Sequence, residues 1–376
     1  MNYVSRYLLI VLLLCGWAWA ESFEKSYDTK AGQTLEIDLQ PGGSIDINGW
    51  DRDQLQIKVS YDGDRFSEDL IDIKEVSDGF RVNINHLLQN HGSADLHLHV
   101  NVPRQYNLKI ETMGGSITIH EIEGDMEGKT MGGSLKLSQL KGTINMTTMG
   151  GSIRLVDSYD LDGSLKTMGG NVNFTNVVGS VDGTTMGGNV NYTNVSTRKG
   201  DPKGDEVKIS TMGGEINVDQ AQQGADVHTM GGSIHVKKAK VYVKAKTMGG
   251  DINIDEVDGW VKATTMGGDI NIKMVGDGQK GKRDVYISSM GGVIDLTLPA
   301  NISADFDVKL TYTRDSSQDF EIDSDFDMTI EEESDEWSYR NGSPRKVIRG
   351  KGSVGGGKNT IHIETINGDV RIKKGS

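Results

Sequence analysis

Val241-Tyr-Val-Lys-Ala-Lys-Thr-Met-Gly-Gly-Asp-Ile-Asn-Ile254 contains two alternating runs joined by a pair of glycines. Period-two alternation rich in Val and Ile marks half-buried strands, and Gly-Gly between two such runs marks a turn. The tetrapeptide at the centre recurs. Thr-Met-Gly-Gly begins at Thr112, Thr130, Thr148, Thr167, Thr185, Thr211, Thr229, Thr247 and Thr265, and a Ser-Met-Gly-Gly variant begins at Ser289. The steps between copies are 18, 18, 19, 18, 26, 18, 18, 18 and 24 residues. Ten antiparallel hairpins in a meander would satisfy the alternation. A fixed period favours another arrangement, because it stacks equivalent residues in successive coils about 4.8 Å apart, as parallel strands require. The expected fold is therefore all-β, a parallel β-solenoid (β-helix) with about 18 residues and two short strands per coil and β-rich caps at both ends. No stretch carries a helical apolar period.

Side-chain parity assigns the repeated residues. Before the turn, Val207, Ile209 and Thr211 share one face, as do Val261, Ala263 and Thr265, so the repeated Thr points inward with the aliphatics. An inward Thr column can satisfy its hydroxyls along the ladder or against the turn backbone. After the turn, Ile117 and Ile119 are inward while Ser116 and Thr118 face out. Ser134, Ser152, Asn171, Asn189, Glu215, Ser233, Asp251 and Asp269 continue that outward column, with Asn173, Asn191, Asn217, Asn253 and Asn271 beside it. The opposite sheet turns Lys109, Lys129, Lys166, Lys208, Lys244 and Lys262 outward, so the two broad faces are expected to differ in charge character.

Composition narrows the class. The chain has 376 residues, net charge −14, 49 Gly, 5 Pro and one Cys. Gly enrichment without a G-X-Y period excludes collagen, and regular apolar alternation argues against a disordered polymer. The acidic balance excludes a general nucleic-acid binder, which needs clustered Lys and Arg. Residues 1–20 read as a cleaved signal peptide, with Arg6 as the charged start, Tyr7 to Gly16 apolar and Ala18-Trp19-Ala20 before the cut. A lipoprotein reading would acylate Cys15, but Leu14 stands where a small residue is wanted. Cleavage after Ala20 leaves a chain with no Cys, hence no disulfide and no thiol chemistry. No later segment is apolar enough to span a bilayer. The expected organisation is a signal peptide at 1–20, a β-rich cap at 21–105, the Thr-Met-Gly-Gly core at 106–298 and a second cap at 299–376.

Around the repeats, residues 34–59 run TLEIDLQPGGSIDINGWDRDQLQIKV, residues 98–117 run LHVNVPRQYNLKIETMGGSI, and residues 352–374 run GSVGGGKNTIHIETINGDVRIKK. This combination resembles the bacterial DUF4097 β-strand-repeat family, labelled "putative adhesin" and related to head-GIN-type domains. The likeness covers nearly the whole chain after residue 20. It implies an exported β-solenoid and supplies no catalytic residues. The uniform Thr-Met-Gly-Gly turns distinguish this chain, since a looser turn such as Ile366-Asn367-Gly368-Asp369 is the more familiar form.

The candidate metal site is Asp95, His97 and His99, which alternation places on one strand face with the imidazoles roughly 7 Å apart, and with His86 and His91 near in sequence. A solvated strand face explains the same residues. The ten repeated Met residues could line up thioethers for a soft ion such as Cu(I), but are expected instead to plug the corner beside each Gly-Gly turn. Ice binding would need exposed Thr ranks, and parity puts the Thr inside. Asp315 to Glu336 is strongly acidic. Asp323, Asp325 and Asp327 imitate the start of a calcium loop, but Met328 stands where Gly is needed and Ser334 where a bidentate Glu is needed. Arg340, Arg345, Lys346, Arg349 and Lys351 follow as electrostatic partners. The two Gly-x-Gly-x-x-Gly matches, at Gly276–Gly281 and Gly350–Gly355, open no helix and are discarded. The long steps locate insertions at 196–206 and 275–284, a possible two-fingered partner contact.

Together these readings point to an exported, non-enzymatic rod without cofactor, in the periplasm or on the cell surface. It would present polar faces and edge loops to an envelope or surface protein or a glycan, for adhesion or envelope scaffolding. Two other functions fit less of the sequence. A periplasmic stress or signalling component would bind another envelope protein with the same rod. A polysaccharide-acting β-helix enzyme would need wider coils and clustered carboxylates.

Overall fold

The computed structural model describes residues 21–40, 42–61, 71–84, 96–196, 207–315, 319–333, 336–339 and 343–375, and every regular element among them is a strand. The strands form two columns, one before each Gly-Gly turn (the first sheet) and one after it (the second sheet). Within each sheet, equivalent residues of successive layers pair in parallel. Glu123–Thr130 lies against Lys141–Thr148 with Thr130 opposite Thr148, an 18-residue step. Across the turn, Leu135 lies opposite both Ile117 and Ile153. Four strands, Ile153–Thr167, Val172–Thr184, Ile234–Lys246 and Ile252–Thr264, run unbroken round the second corner from one sheet to the other.

The interior is aliphatic and continuous. Ile117, Leu135, Ile153, Val172, Val190, Ile216, Ile234, Ile252, Ile270, Ile294 and Val370 stack in one buried file. Burial of this kind contributes about 1.5–3 kcal/mol per side chain and is the main force holding the layers together. The repeated Thr residues are buried too, as parity requires. Their hydroxyls bond to the turn backbone. Thr229 Oγ1 donates to the Gly214 carbonyl of the layer below at 2.9 Å and accepts from its own Gly232 N–H at 3.4 Å. Thr247 repeats this with Gly232 at 2.8 Å and Gly250 at 3.3 Å. From Thr130 onward each repeated threonine thus staples one turn to the next, satisfying a donor and an acceptor that burial would otherwise leave costly.

The polar column just after the turn has a matching task. Asn171 Oδ1 accepts the Asn189 N–H, Asn189 Oδ1 the Glu215 N–H, and Asp251 Oδ1 the Asp269 N–H, all at 2.8–2.9 Å. Ser, Asn and Asp recur there because each side chain caps a backbone donor one layer on. The second corner is turned by single residues in the left-handed region, among them Glu121, Gln139, Asn176 and Asn194, with φ of 53–57°. Val241 sits in the same region at φ 69°. A β-branched side chain is strained there, and Val241 is exposed, so nothing it packs against offsets the cost. Val241→Asn is expected to raise stability by about 1 kcal/mol, read as a higher urea midpoint.

Both ends depart from sequence order. Thr34–Leu39 pairs on one side with Asn107–Thr112 and on the other with Gly79–Ile84, so the earlier segment lies between two later ones. At the other end Asn359–Ile366 lies between Val285–Ser288 and Ala304–Thr313, and Val370–Gly375 between Ile294–Pro299 and Ile322–Ser324. Among the described residues this makes fourteen two-strand layers. At about 4.8 Å per step the stack is roughly 62 Å long. Three of the four outer edges are closed by antiparallel strands among the described residues, and the fourth is the three-residue strand Ile322–Ser324. Glu21–Asp28 pairs with Gln54–Tyr61, Ile71–Val76 with Gly79–Ile84, and the acidic Thr329–Glu332 with the basic Arg345–Val354. Short or charged edges of this kind discourage end-to-end pairing with other chains.

Candidate binding face

On the outer face of the second sheet, one row of side chains holds no Asp, Glu, Lys or Arg over six consecutive layers. Asn173, Asn191, Asn217, His235, Asn253 and Asn271 lie in register, one per layer, over about 24 Å. Arg154 precedes the row and Asp295 follows it. Part of the row is a side-chain ladder, with Asn191 Nδ2 donating to Asn173 Oδ1 at 2.8 Å and Asn217 Nδ2 to Asn191 Oδ1 at 3.0 Å. A stacked amide keeps one donor and one acceptor for its neighbours and presents the remainder to solvent. From Asn217 onward the row floors an open groove of about 640 Å³, walled by Glu215, Asp255 and Lys273.

His235 Nε2 meets Asp255 Oδ2 at 2.9 Å, both solvent-exposed, and Ser233 lines the same groove. These residue types suggest a hydrolytic triad, but their connections differ. Ser233 Oγ accepts the Asp251 N–H at 3.1 Å, and no hydrogen bond joins it to His235 among the described residues. A nucleophile and base need that contact. The groove therefore holds hydrogen-bonding groups in an open, polar trough.

The sequence-predicted sites fall elsewhere. His97 and His99 share an exposed face, their rings stacked at 6.4 Å. The carboxylate beside them is Asp46, 3.4 Å from His99 Nδ1, and Lys58 stands opposite His99 on the neighbouring strand. Asp95, His86 and His91 lie outside the described residues, among which no group of three or more His, Cys, Asp or Glu is placed to hold a metal ion. The acidic segment is partly neutralised. Lys346 meets Glu332 at 3.3 Å, Arg349 pairs with Glu333, and Asp325 accepts the Lys374 N–H at 2.8 Å. The insertion at 275–284 packs against the cap instead of projecting as a free finger. Asp277 accepts from the Gln279 N–H at 3.1 Å and from Asn301 Nδ2 at 2.9 Å, and these bonds with Lys280 hold its carboxyl below the ordinary range. Residues 197–206 of the other insertion, 196–206, and the expected signal peptide, 1–20, lie outside the described residues.

Two expectations are corrected. The ten repeated Met residues do not plug the corner, for their side chains are 38–56 % exposed. Parity contained that signal, because the residue after an inward Thr must face out. The outward lysines of the first sheet are also interleaved with carboxylates, so the charge contrast between the two faces is smaller than the lysines alone suggest. Lys109 stacks on Glu127, Lys129 on Glu111, and Asp226 between Lys208 and Lys244. The row of amides is legible as separate Asn residues, but its continuity through His235 appears only in register.

No protein-family model and no curated protein matches the chain. Solved structures do. A "putative cell adhesion protein" from Clostridium sporogenes is similar at 10% identity over 94% of this chain and 100% of its own, with a TM-score of 0.20. A "putative adhesin" from Parabacteroides distasonis matches at 14% identity, 74% of this chain, 97% of its own and TM-score 0.32. A "putative lipid binding protein" from the same species matches at 12%, 73%, 96% and 0.29. No helix among the described residues is long and apolar enough to cross a membrane.

Proposed function

We propose that the chain is an exported, non-enzymatic β-solenoid of the DUF4097 kind, with residues 21–105 and 299–376 as its caps, that works by adhesion through the second sheet. The row of amides, interrupted only by His235, in its open groove carries this reading. Amides offer donors and acceptors at a 4.8 Å repeat without the desolvation cost of charge, which suits an extended, hydroxyl-rich polymer of the glycan class. Each contact is weak, and a rigid row engages many at once, so affinity comes from avidity.

Asn253→Ala with Asn271→Ala tests the reading, because neither side chain is tied into the Asn173–Asn191–Asn217 ladder. The double variant is expected to keep its urea midpoint within about 0.5 kcal/mol and to lose roughly tenfold or more in retention on a glycan array. Unchanged retention would remove the groove from the function. Protease treatment of intact and permeabilised cells settles the compartment. Digestion on intact cells supports surface adhesion, and protection until permeabilisation redirects the search to a periplasmic partner.

A further inference from the structure

The turn methionines form the longest run of one side chain on the surface. Met113, Met131, Met149, Met168, Met186, Met212, Met230, Met248, Met266 and Met290 occupy ten successive layers. The backbone fixes their alignment. The Gly213 N–H donates to the Met186 carbonyl at 2.9 Å, that of Gly231 to Met212 at 2.9 Å and that of Gly249 to Met230 at 3.1 Å. The fold uses the main chain of these residues and leaves the side chains in solvent. Met126, Met146 and Met274, by contrast, are buried fillers. The next outward position, after the glycines, drifts among Ser, Asn, Glu, Asp and Val over the same ten layers, while Met does not change. An exposed apolar side chain that the core does not need, retained where its neighbours vary, calls for a role of its own.

In sequence the methionines are 18 or more residues apart, too sparse for a metal motif. Stacking brings them to about 4.8 Å per step, a file roughly 43 Å long. Three rotatable bonds let adjacent thioethers converge on one point, and a neutral thioether is a soft ligand that favours Cu(I) over hard cations. We propose that the methionine file binds soft monovalent cations of the Cu(I) and Ag(I) class, each held by thioethers from two or three consecutive layers. The site stands apart from the groove, because it lies on the turn edge and the groove on the second sheet. Binding involves no change of oxidation state.

Residues 21–376, which contain all the described structure and exclude Cys15, are titrated anaerobically with Cu(I) in ascorbate against bicinchoninate. About three to five Cu(I) per chain are expected to be withdrawn from the chelator, with a sulfur-only ligand set by X-ray absorption. Replacing Met212, Met230, Met248 and Met266 together with Leu keeps volume and apolarity and removes only the sulfur. That variant is expected to keep its urea midpoint and lose roughly half the capacity, while His97→Asn with His99→Asn leaves capacity unchanged. Failure to compete with bicinchoninate, full capacity in the Leu variant, or a nitrogen-dominated ligand set would each overturn the proposal.

Discussion

One methyl group at Gly250 is expected to cost about 3 kcal/mol or more of stability, while the same methyl at Gly249, one residue earlier, is expected to cost less than about 1. The two glycines are identical in composition and opposite in surroundings. A Cβ on Gly250 falls 2.1 Å from the carbonyl oxygen of Gly232 and 2.4 Å from its carbon. A Cβ on Gly249 meets nothing closer than the Gly231 carbonyl oxygen at 3.5 Å. The asymmetry repeats along the stack, with the second glycine of the turn blocked at 1.7 Å for Gly133, 1.8 Å for Gly214 and 2.1 Å for Gly268.

The obstructing atom is backbone, so no side chain can swing aside. It is also held, since the Gly232 carbonyl accepts the Thr247 hydroxyl at 2.8 Å. Making room means separating two layers at the turn, which breaks that bond and the Gly249 N–H to Met230 bond together. The cause is contact rather than torsion, because Gly250 does not lie in the left-handed region. Urea unfolding of Gly249→Ala and Gly250→Ala measures the difference, with hydrogen exchange to place it, because a stack of layers need not unfold in one step. Equal midpoints for the two variants would show that adjacent turns part freely and that the second glycine is not a packing requirement.

The turn illustrates how far the pattern reads. An 18-residue step with period-two alternation was enough for parallel stacking, for the inward Thr and for the inward Ile files, because all three depend only on local parity and a fixed repeat. The same parity implies outward Met, against the common role of Met as a core filler. The tie between each post-turn Asn or Asp and the next layer's N–H is harder to see, because it joins residues that meet only in register. At the ends the periodic signal stops. Nothing in the local pattern of residues 34–50 or 359–375 says that each lies between two other layers, since that order is decided by which strand edges remain open once the whole chain has stacked. Asn367-Gly368 resembles the repeated turn, and its Gly368 has the same close approach, to the Gly292 carbonyl, as its counterparts in the core.

That placement makes the last residues structural. Deleting 359–376 is expected to unfold not only the missing strands but also residues 304–354. Ile361, Ile363, Val370 and Ile372 are all buried, and losing them forfeits roughly 6–12 kcal/mol, as much as an entire domain's stability. Polar ties go with them. The Asn359 side chain accepts the Arg283 N–H at 2.9 Å and donates to the Ser303 carbonyl at 2.8 Å, linking the layers on either side. Without this layer, Ala304–Thr313 keeps only its antiparallel partner Arg345–Val354, edged by the four exposed residues Thr329–Glu332, and so small a ribbon with no sheet packed on its apolar face is marginal in water. Layers contact only their neighbours, so damage should spread to Val285–Pro299 and fade before the middle of the stack. Hydrogen exchange on the truncated chain is expected to show lost protection in the strands from Val285 onward and intact protection in the strands of 107–196 and 207–272. Protection retained across 304–354 would mean that this segment holds itself together, and that the final coil is an addition to the stack rather than one of its inner layers.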